Sequence, residues 1–174
     1  MAQPTLPVLA LVTPCYNEEA IIVSTVQTLT ALIEKHIADQ LISPVSFIVF
    51  VDDGSRDKTV ALIRSHKNEK IKVLKLAANV GHQQALLAGL HYVTNKVDCC
   101  VSLDADLQDD PGVIITMVEE FKKGRHIVYG VRGNRESDST YKRATAQLFY
   151  KFMQKMGVPL IYNHADFRLV STRT

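Results

Sequence analysis

The sequence predicts an α/β fold, a mostly parallel sheet with helices on both faces, and three observations predict it. Short apolar runs alternate with amphipathic helical patterns four times or more along the chain, the pattern expected of strand-helix-strand crossovers. The acidic and polar motifs follow the apolar runs, at Cys15–Glu19, Asp52–Ser55, Asn79–Gln83 and Asp104–Asp110. In a parallel sheet these positions fall at the carboxyl ends of the strands, where the ligand crevice lies. Finally, no internal repeat, low-complexity tract or linker interrupts the pattern, and 174 residues suffice for one domain with its own core.

The elements follow in order. Val8–Thr13 reads as a buried strand that ends at Pro14. Asn17 is placed to cap a helix with Glu18 and Glu19 in its first turn, where the helix dipole favours carboxylates. Ile22, Val26, Leu29, Ile33 and Ile37 then recur at helical spacing. Phe47–Val51 is the second strand, followed by Asp52-Asp53-Gly54-Ser55 and by Asp57 as the cap of a helix carrying Val60 and Ile63. Ile71–Leu76 is the third strand, and Gly81–Asn95 a helix with Leu86, Leu90 and Val93 on one face. Val97–Leu103 is the fourth strand. Asp110 caps the next helix, with Pro111 in the first turn, where a missing N–H costs nothing. Val113, Ile114, Met117 and Phe121 are expected to face the core, and Gly124 to end the helix. Ile127–Val131 is a fifth strand. A polar stretch, Arg132–Ser139, leads into an amphipathic helix ending near Gly157, and a last strand starts near Phe167.

Composition sets limits on function. A charged fraction of 22%, a hydrophobic fraction of 47% and a net charge of +2 suit a globular protein and give no electrostatic reason to expect a nucleic-acid partner. Cys15, Cys99 and Cys100 lack metal-ligand spacing and read as reduced, buried thiols. Met1–Leu11 has no charged start followed by a long apolar stretch, and no run of eighteen apolar residues occurs. The chain stops just after its last strand, which suggests a cut ahead of further segments.

The most informative segment is Val101–Pro111, VSLDADLQDDP. Four carboxylates within seven residues repel one another unless a cation sits among them. If the segment stays extended, Asp104, Asp106 and Gln108 point to one side. They would then offer two carboxylates and an amide oxygen, hard ligands suited to Mg²⁺ or Mn²⁺ with open positions for a phosphate. A DxD alone is more often a solvated helix-capping loop; the preceding strand and the companion motifs reverse that balance in favour of the site. A carboxylate at Asp52 or Asp53 could accept from a base N–H or a ribose hydroxyl, or the Asp-Gly pair could simply turn the chain. Asn79-Val80-Gly81-His82 is a further polar turn at a helix entry. Neither GxxxxGK[ST] nor GxGxxG is present, so a phosphate-bearing ligand would be held by a metal and basic side chains rather than by a glycine cradle. Arg125, Arg132, Arg135, Lys142 and Arg143 lie close after the acidic segment. Arg132 and Arg143 are favoured as phosphate ligands because the guanidinium fork matches phosphate oxygens. The helix from Ser139 to Gly157 mixes aromatics and methionines with lysines and Arg143, suiting either a membrane surface or ordinary core packing.

Taken together, Val12–Glu19, Val51–Asp57, Asn79–His82 and Leu103–Pro111 resemble the GT-A glycosyltransferases of family 2. The DADLQDDP form, with Tyr129–Arg132 and Ala165–Leu169, resembles the branch that transfers sugars to polyprenyl phosphates such as undecaprenyl and dolichol phosphate. The resemblance covers nearly the whole chain, in order. It implies a Rossmann-like GT-A fold in one catalytic domain over residues 1–174, with Mg²⁺ or Mn²⁺ as cofactor. It implies that Pro14, Tyr16, Glu18 and Asp53 line the base and ribose pocket and that Asp104 contacts the donor. Asp106 with Gln108 would hold the metal, Arg132 and Arg143 the acceptor phosphate, and Asp166 would sit near the reacting carbon. Donor (a UDP-sugar favoured over GDP-mannose), lipid acceptor, membrane surface and possible self-association are the partners implied. Membrane helices usually follow this domain in bacterial members, which implies action at the cytoplasmic face. The alternatives are transfer to a sugar hydroxyl in polysaccharide synthesis, where Asp166 would have to act as a base, and a noncatalytic nucleotide-sugar binding module.

Overall fold

A computed structural model describes residues 5–131 and 164–172. Six strands form one sheet in the order β3-β2-β1-β4-β6-β5. These are β1 (Leu9–Cys15), β2 (Phe47–Asp52), β3 (Ile71–Lys75), β4 (Cys99–Ser102), β5 (Ile127–Val131) and β6 (His164–Ser171). The first four run parallel, with Cys15 opposite Asp52 and Val12 opposite Ser102. β6 inserts antiparallel between β4 and β5, pairing Ser102 with Arg168 and Tyr129 with Arg168. The sheet is mostly parallel, as expected, with one reversed strand.

The strands form because their apolar side chains alternate between two buried layers. Leu9, Leu11, Ile48, Phe50, Cys99 and Val101 enter one layer, and Ala10, Val12, Val49, Val51 and Cys100 the other. Such two-sided burial is what turns parallel strands into near-continuous apolar runs. The first layer is closed by α1 (Ile22–Ala38) through Ile22, Val26, Leu29 and Ile33, by α2 (Thr59–Ser65) through Ile63, and by α4 (Ile114–Lys122) through Ile114, Met117 and Val118. The second is closed by α3 (His82–Val93) through Ala85, Leu86 and Val93. Gly89 lets α3 press onto the sheet: a Cβ there would lie 2.5 Å from Val12 Cγ1 and 2.7 Å from Val51 Cγ2.

Several local expectations change. Asn17 does not cap α1. It takes a left-handed φ of 55°, and the helix starts at Ile22, five residues on. Its side chain instead serves the neighbouring loop. The Asp104–Gln108 segment is not extended. Leu107 has φ 49° and its N–H reaches back to the Asp104 carbonyl at 3.3 Å, so the chain turns directly after β4. β4 is correspondingly short, and Val113 sits 39% exposed on the outer side of a 3₁₀ turn that precedes α4. The remaining boundary signals act as expected. Asp57 Oδ1 accepts from Thr59 N at 3.0 Å at the entry of α2, and Asp110 Oδ1 from Gly112 N at 2.8 Å ahead of α4. Gly124, φ 91°, closes α4 with its N–H on the Phe121 carbonyl. The 139–157 segment and Arg132 and Arg143 lie outside the described residues.

Candidate active site

A cleft of about 480 Å³ opens at the carboxyl edge of the parallel strands. Pro14, Cys15, Tyr16 and Glu18 reach it from the end of β1, Asp53 from the end of β2, Asn79, Gly81 and His82 from the entry of α3, and Asp104, Ala105 and Asp106 from the end of β4. Six residues expected at a nucleotide-sugar site, Pro14, Tyr16, Glu18, Asp53, Asp104 and Asp106, are thus brought to one surface. Gln108 is not part of that lining. Arg132 and Arg143 lie outside the described residues. The backbone of Asp166 belongs to β6, near the end of that strand running beside the carboxyl end of β4.

Each wall is fixed by its own bonds. Asp53 is 3% exposed, and its Oδ1 and Oδ2 accept from Val80 N at 2.7 Å and Gly81 N at 2.9 Å. One buried carboxylate therefore holds the loop that enters α3. Gly54 makes that approach possible: at φ 76°, a Cβ would meet the Ala78–Asn79 peptide at 2.8 Å. The floor under Asp104 and Asp106 is tied to α1 by Thr25 Oγ1 donating to the Ala105 carbonyl at 2.6 Å. Gln108 folds back on Asp106, its N–H at 3.2 Å from Oδ1 and its Nε2 at 2.8 Å from Oδ2. His82 Nε2 stands 3.5 Å from Asp104 Oδ1, with both side chains partly open to solvent.

The cleft is electrostatically loaded. Burial, then the charges of Asp106, Asp57 and Asp104, push the Glu18 carboxyl above its ordinary range. Mutual repulsion of this kind marks a place that gains from a cation. The donors are hard oxygens on an open surface, the chemistry that a divalent cation with water and phosphate ligands requires. Among the described residues no three of His, Cys, Asp and Glu are gathered closely enough to hold a metal unaided. The carboxylates of Glu18, Asp104 and Asp106 are the hard donors that suit Mg²⁺ or Mn²⁺ with phosphate oxygens completing its shell. Cys15, at the cleft, is a poor nucleophile: burial, then Asp52 and nearby carboxylates, raise its thiol to about 12.

Sequence reasoning placed Asn79–His82 at the crevice as a polar turn, but the wall it forms depends on a contact with Asp53 across 27 positions of sequence. Asn17, Ser55 and Thr59 were not foreseen as part of the site's support; their contacts span about forty positions.

A sheet of this order, with carboxylates and an aromatic at its carboxyl edge, defines an α/β fold with a ligand crevice at the strand ends. The chain belongs to glycosyl transferase family 2, whose family model matches residues 10–172. It is 52% identical over 170 residues to the uncharacterized glycosyltransferase YkoT of Bacillus subtilis, covering 97% of this chain and 50% of that protein. It is 35% identical over 167 residues to the bactoprenol glucosyl transferase of Shigella phage SfX, covering 94% of this chain and 52% of that protein. The chain spans about half the length of the curated relatives it matches. Among solved structures it resembles glucosyl-3-phosphoglycerate synthase of Mycobacterium tuberculosis in complex with Mn²⁺, UDP and phosphoglyceric acid. The TM-score is 0.65 at 20% identity, over 95% of this chain and 56% of that one. The mannosyl-3-phosphoglycerate synthase of Rubrobacter xylanophilus aligns with the same TM-score of 0.65 at 18% identity, over 95% of this chain and 53% of that one.

Proposed function

We propose that the protein transfers a sugar from a nucleotide diphosphate donor, a UDP-sugar, to the phosphate of a polyprenyl lipid at the cytoplasmic face of a membrane. The observation that carries the donor half is the cleft itself, which unites Pro14, Tyr16, Glu18, Asp53, Asp104 and Asp106 at one sheet edge. The acceptor half rests on similarity to the bactoprenol glucosyl transferases. The UDP choice is supported by structural neighbours that bind UDP with Mn²⁺ or Mg²⁺.

In this reading Tyr16, Pro14 and Glu18 form the β1 wall of the base and ribose pocket and Asp53 its β2 wall. Asp104 contacts the donor near the sugar, and Asp106, whose carboxylate Gln108 braces, would hold the cation. Mg²⁺ or Mn²⁺ bound there would neutralise charge on the departing diphosphate. Arg132 and Arg143 grip the acceptor phosphate through paired hydrogen bonds. A phosphate monoester loses its second proton with a pKa of about 6, so the attacking oxygen is already anionic at neutral pH. That oxygen forms the new bond to the anomeric carbon while the bond from that carbon to the diphosphate breaks, the electron pair leaving with UDP. Asp166 orients the acceptor beside the reacting carbon and need not remove a proton. Holding both reactants in line supplies much of the rate. One direct displacement inverts the anomeric configuration.

The test is transfer of radiolabelled sugar from UDP-glucose or UDP-N-acetylglucosamine to undecaprenyl phosphate with Mn²⁺, read as organic-extractable label. Label in the lipid phase that is lost in Asp106→Ala supports the proposal. Release of free sugar alone, or lipid product of retained configuration, contradicts it.

A further inference from the structure

The loop between β1 and α1 is stitched to the loop between β2 and α2 by an unbroken run of hydrogen bonds. The three successive backbone N–H groups of Asn17, Glu18 and Glu19 donate to Ser55 Oγ at 2.9 Å, Thr59 Oγ1 at 2.8 Å and Asp57 Oδ2 at 3.0 Å. Two bonds return. Arg56 N donates to Asn17 Oδ1 at 2.9 Å, and Lys58 N to Glu19 Oε2 at 3.1 Å. The strands beneath are joined at the same level, Asp53 N donating to the Cys15 carbonyl at 2.9 Å. Asp57 sits at the centre: one carboxylate oxygen takes Glu19 N while the other takes Thr59 N at the start of α2.

Such a clasp is more than a helix start requires. α1 begins only at Ile22, so residues 17–19 are not in its first turn. The left-handed backbone of Asn17, which costs an ordinary residue strain, is used to turn these N–H groups toward the second loop. The two cleft residues of this loop, Tyr16 and Glu18, bracket Asn17, and Tyr16 is 41% exposed. The backbone that carries both side chains is the part these bonds fix.

We propose that Asn17, Asp57 and Thr59 are positioning residues for donor binding, clasping the two loops so that Tyr16 and Glu18 stand ready at the cleft before a nucleotide arrives. This rests on the nucleotide-sugar reading of the cleft. Preorganisation of this kind acts on affinity, because a loop already ordered loses less entropy on binding. It leaves the chemistry at Asp104 and beyond untouched. Three substitutions separate the bonds. Thr59→Val keeps the buried shape and removes the acceptor for Glu18 N. Thr59→Ser keeps the acceptor. Asp57→Asn leaves one oxygen and turns the other into a donor that cannot accept an N–H.

The experiment measures UDP binding with Mn²⁺ by calorimetry, the donor KM and kcat in the transfer assay, and the thermal midpoint of each purified variant. Thr59→Val and Asp57→Asn are expected to raise the UDP Kd and the donor KM about tenfold, the loss of roughly one such bond. The kcat should stay within about twofold of the parent, with Thr59→Ser restoring near-parent affinity. Asn17→Gly, which keeps the left-handed backbone and drops the side-chain bond, should show a smaller rise in the same direction. Parent-like Kd in folded Thr59→Val and Asp57→Asn would overturn the clasp alone, as would a fall in kcat at unchanged Kd. A parent protein that binds no UDP with Mn²⁺ would overturn the donor reading, and the clasp's role with it.

Discussion

Both oxygens of the Asp53 carboxylate are taken by backbone N–H groups of a loop that is distant in sequence, and this makes Asp53 a test of what one side chain contributes. Asp53→Ala frees Val80 N and Gly81 N. Val80 is 52% exposed, so water can reach that loop and soften the loss. A cost of about 2 kcal/mol is expected for two charge-assisted bonds partly replaced by water. For a chain of this size that is a fall of about 4–8 °C in thermal midpoint. Asp53→Asn, which keeps one acceptor, should fall by about half as much. Calorimetric scans of the three proteins check the order. At this scale the sequence announced the polar residues but not their partners. Asp53 was legible as an acid at a strand end because its position follows an apolar run. Its use as a loop anchor was not, because Val80 and Gly81 lie 27 and 28 positions on. The misreading of Asn17 has the same origin. A local helix cap and a bond to a loop 39 positions away compete for one side chain, and only the folded chain shows which prevails.

Helices and strands were the most legible level, since their signal is the period of the apolar residues. Ile22, Val26, Leu29 and Ile33 read as a stripe and are all buried. Ile37, in the same pattern, is only partly covered, one residue before the helix ends at Ala38. What periodicity cannot reveal is strand order: nothing in β6 tells that it slots between β4 and β5 in reverse. Nor does it show close approaches. Leu86 and Val93 marked the buried face of α3, but Gly89 between them looks like a mere weak point in a helix. It is the contact that sets the depth of α3 on the sheet. Gly89→Ala forces a methyl to within 2.5 Å of Val12 and 2.7 Å of Val51. Overpacking of this kind costs about 2 kcal/mol, more than alanine's better helix propensity returns. The expected result is a lower midpoint, partly restored when Val12→Ala makes room in the double variant. Additive losses in the double-mutant cycle would show that the helix simply lifts away.

Across the whole molecule, two titrating groups sit toward opposite ends of the strands and should bend the pH profile of stability in opposite directions. Glu18 lies at the carboxyl edge, among Asp106, Asp57 and Asp104, and its carboxyl is raised by burial and then by these charges. The folded state holds that proton more tightly than the unfolded chain, so Glu18 lowers stability as pH rises from about 4.5 through its folded value. His36 lies in the last turn of α1, toward the amino ends of the strands, 7% exposed. Neither ring nitrogen has a hydrogen-bond partner among the described residues. Burial, then the charge of Lys35, lowers its pKa below 6.5, with Asp39 opposing weakly. Here the unfolded chain binds the proton more readily, so the His36 contribution is complete above pH about 6.5 and lost as pH falls through the folded value. Thermal midpoints measured in steps from pH 8 to 4 should therefore begin to fall near pH 6.5, with the Glu18 contribution opposing that fall at the acid end. His36→Leu is expected to flatten the fall between pH 6.5 and 5, and Glu18→Gln to steepen the acid limb and raise the midpoint at pH 7. A cation held in the cleft would offset the repulsion on Glu18 without reaching His36. Adding Mn²⁺ with UDP should accordingly raise the pH 7 midpoint and leave the onset of the fall near pH 6.5 where it was. An onset that moves with the metal would mean that the two ends of the sheet are coupled rather than independent.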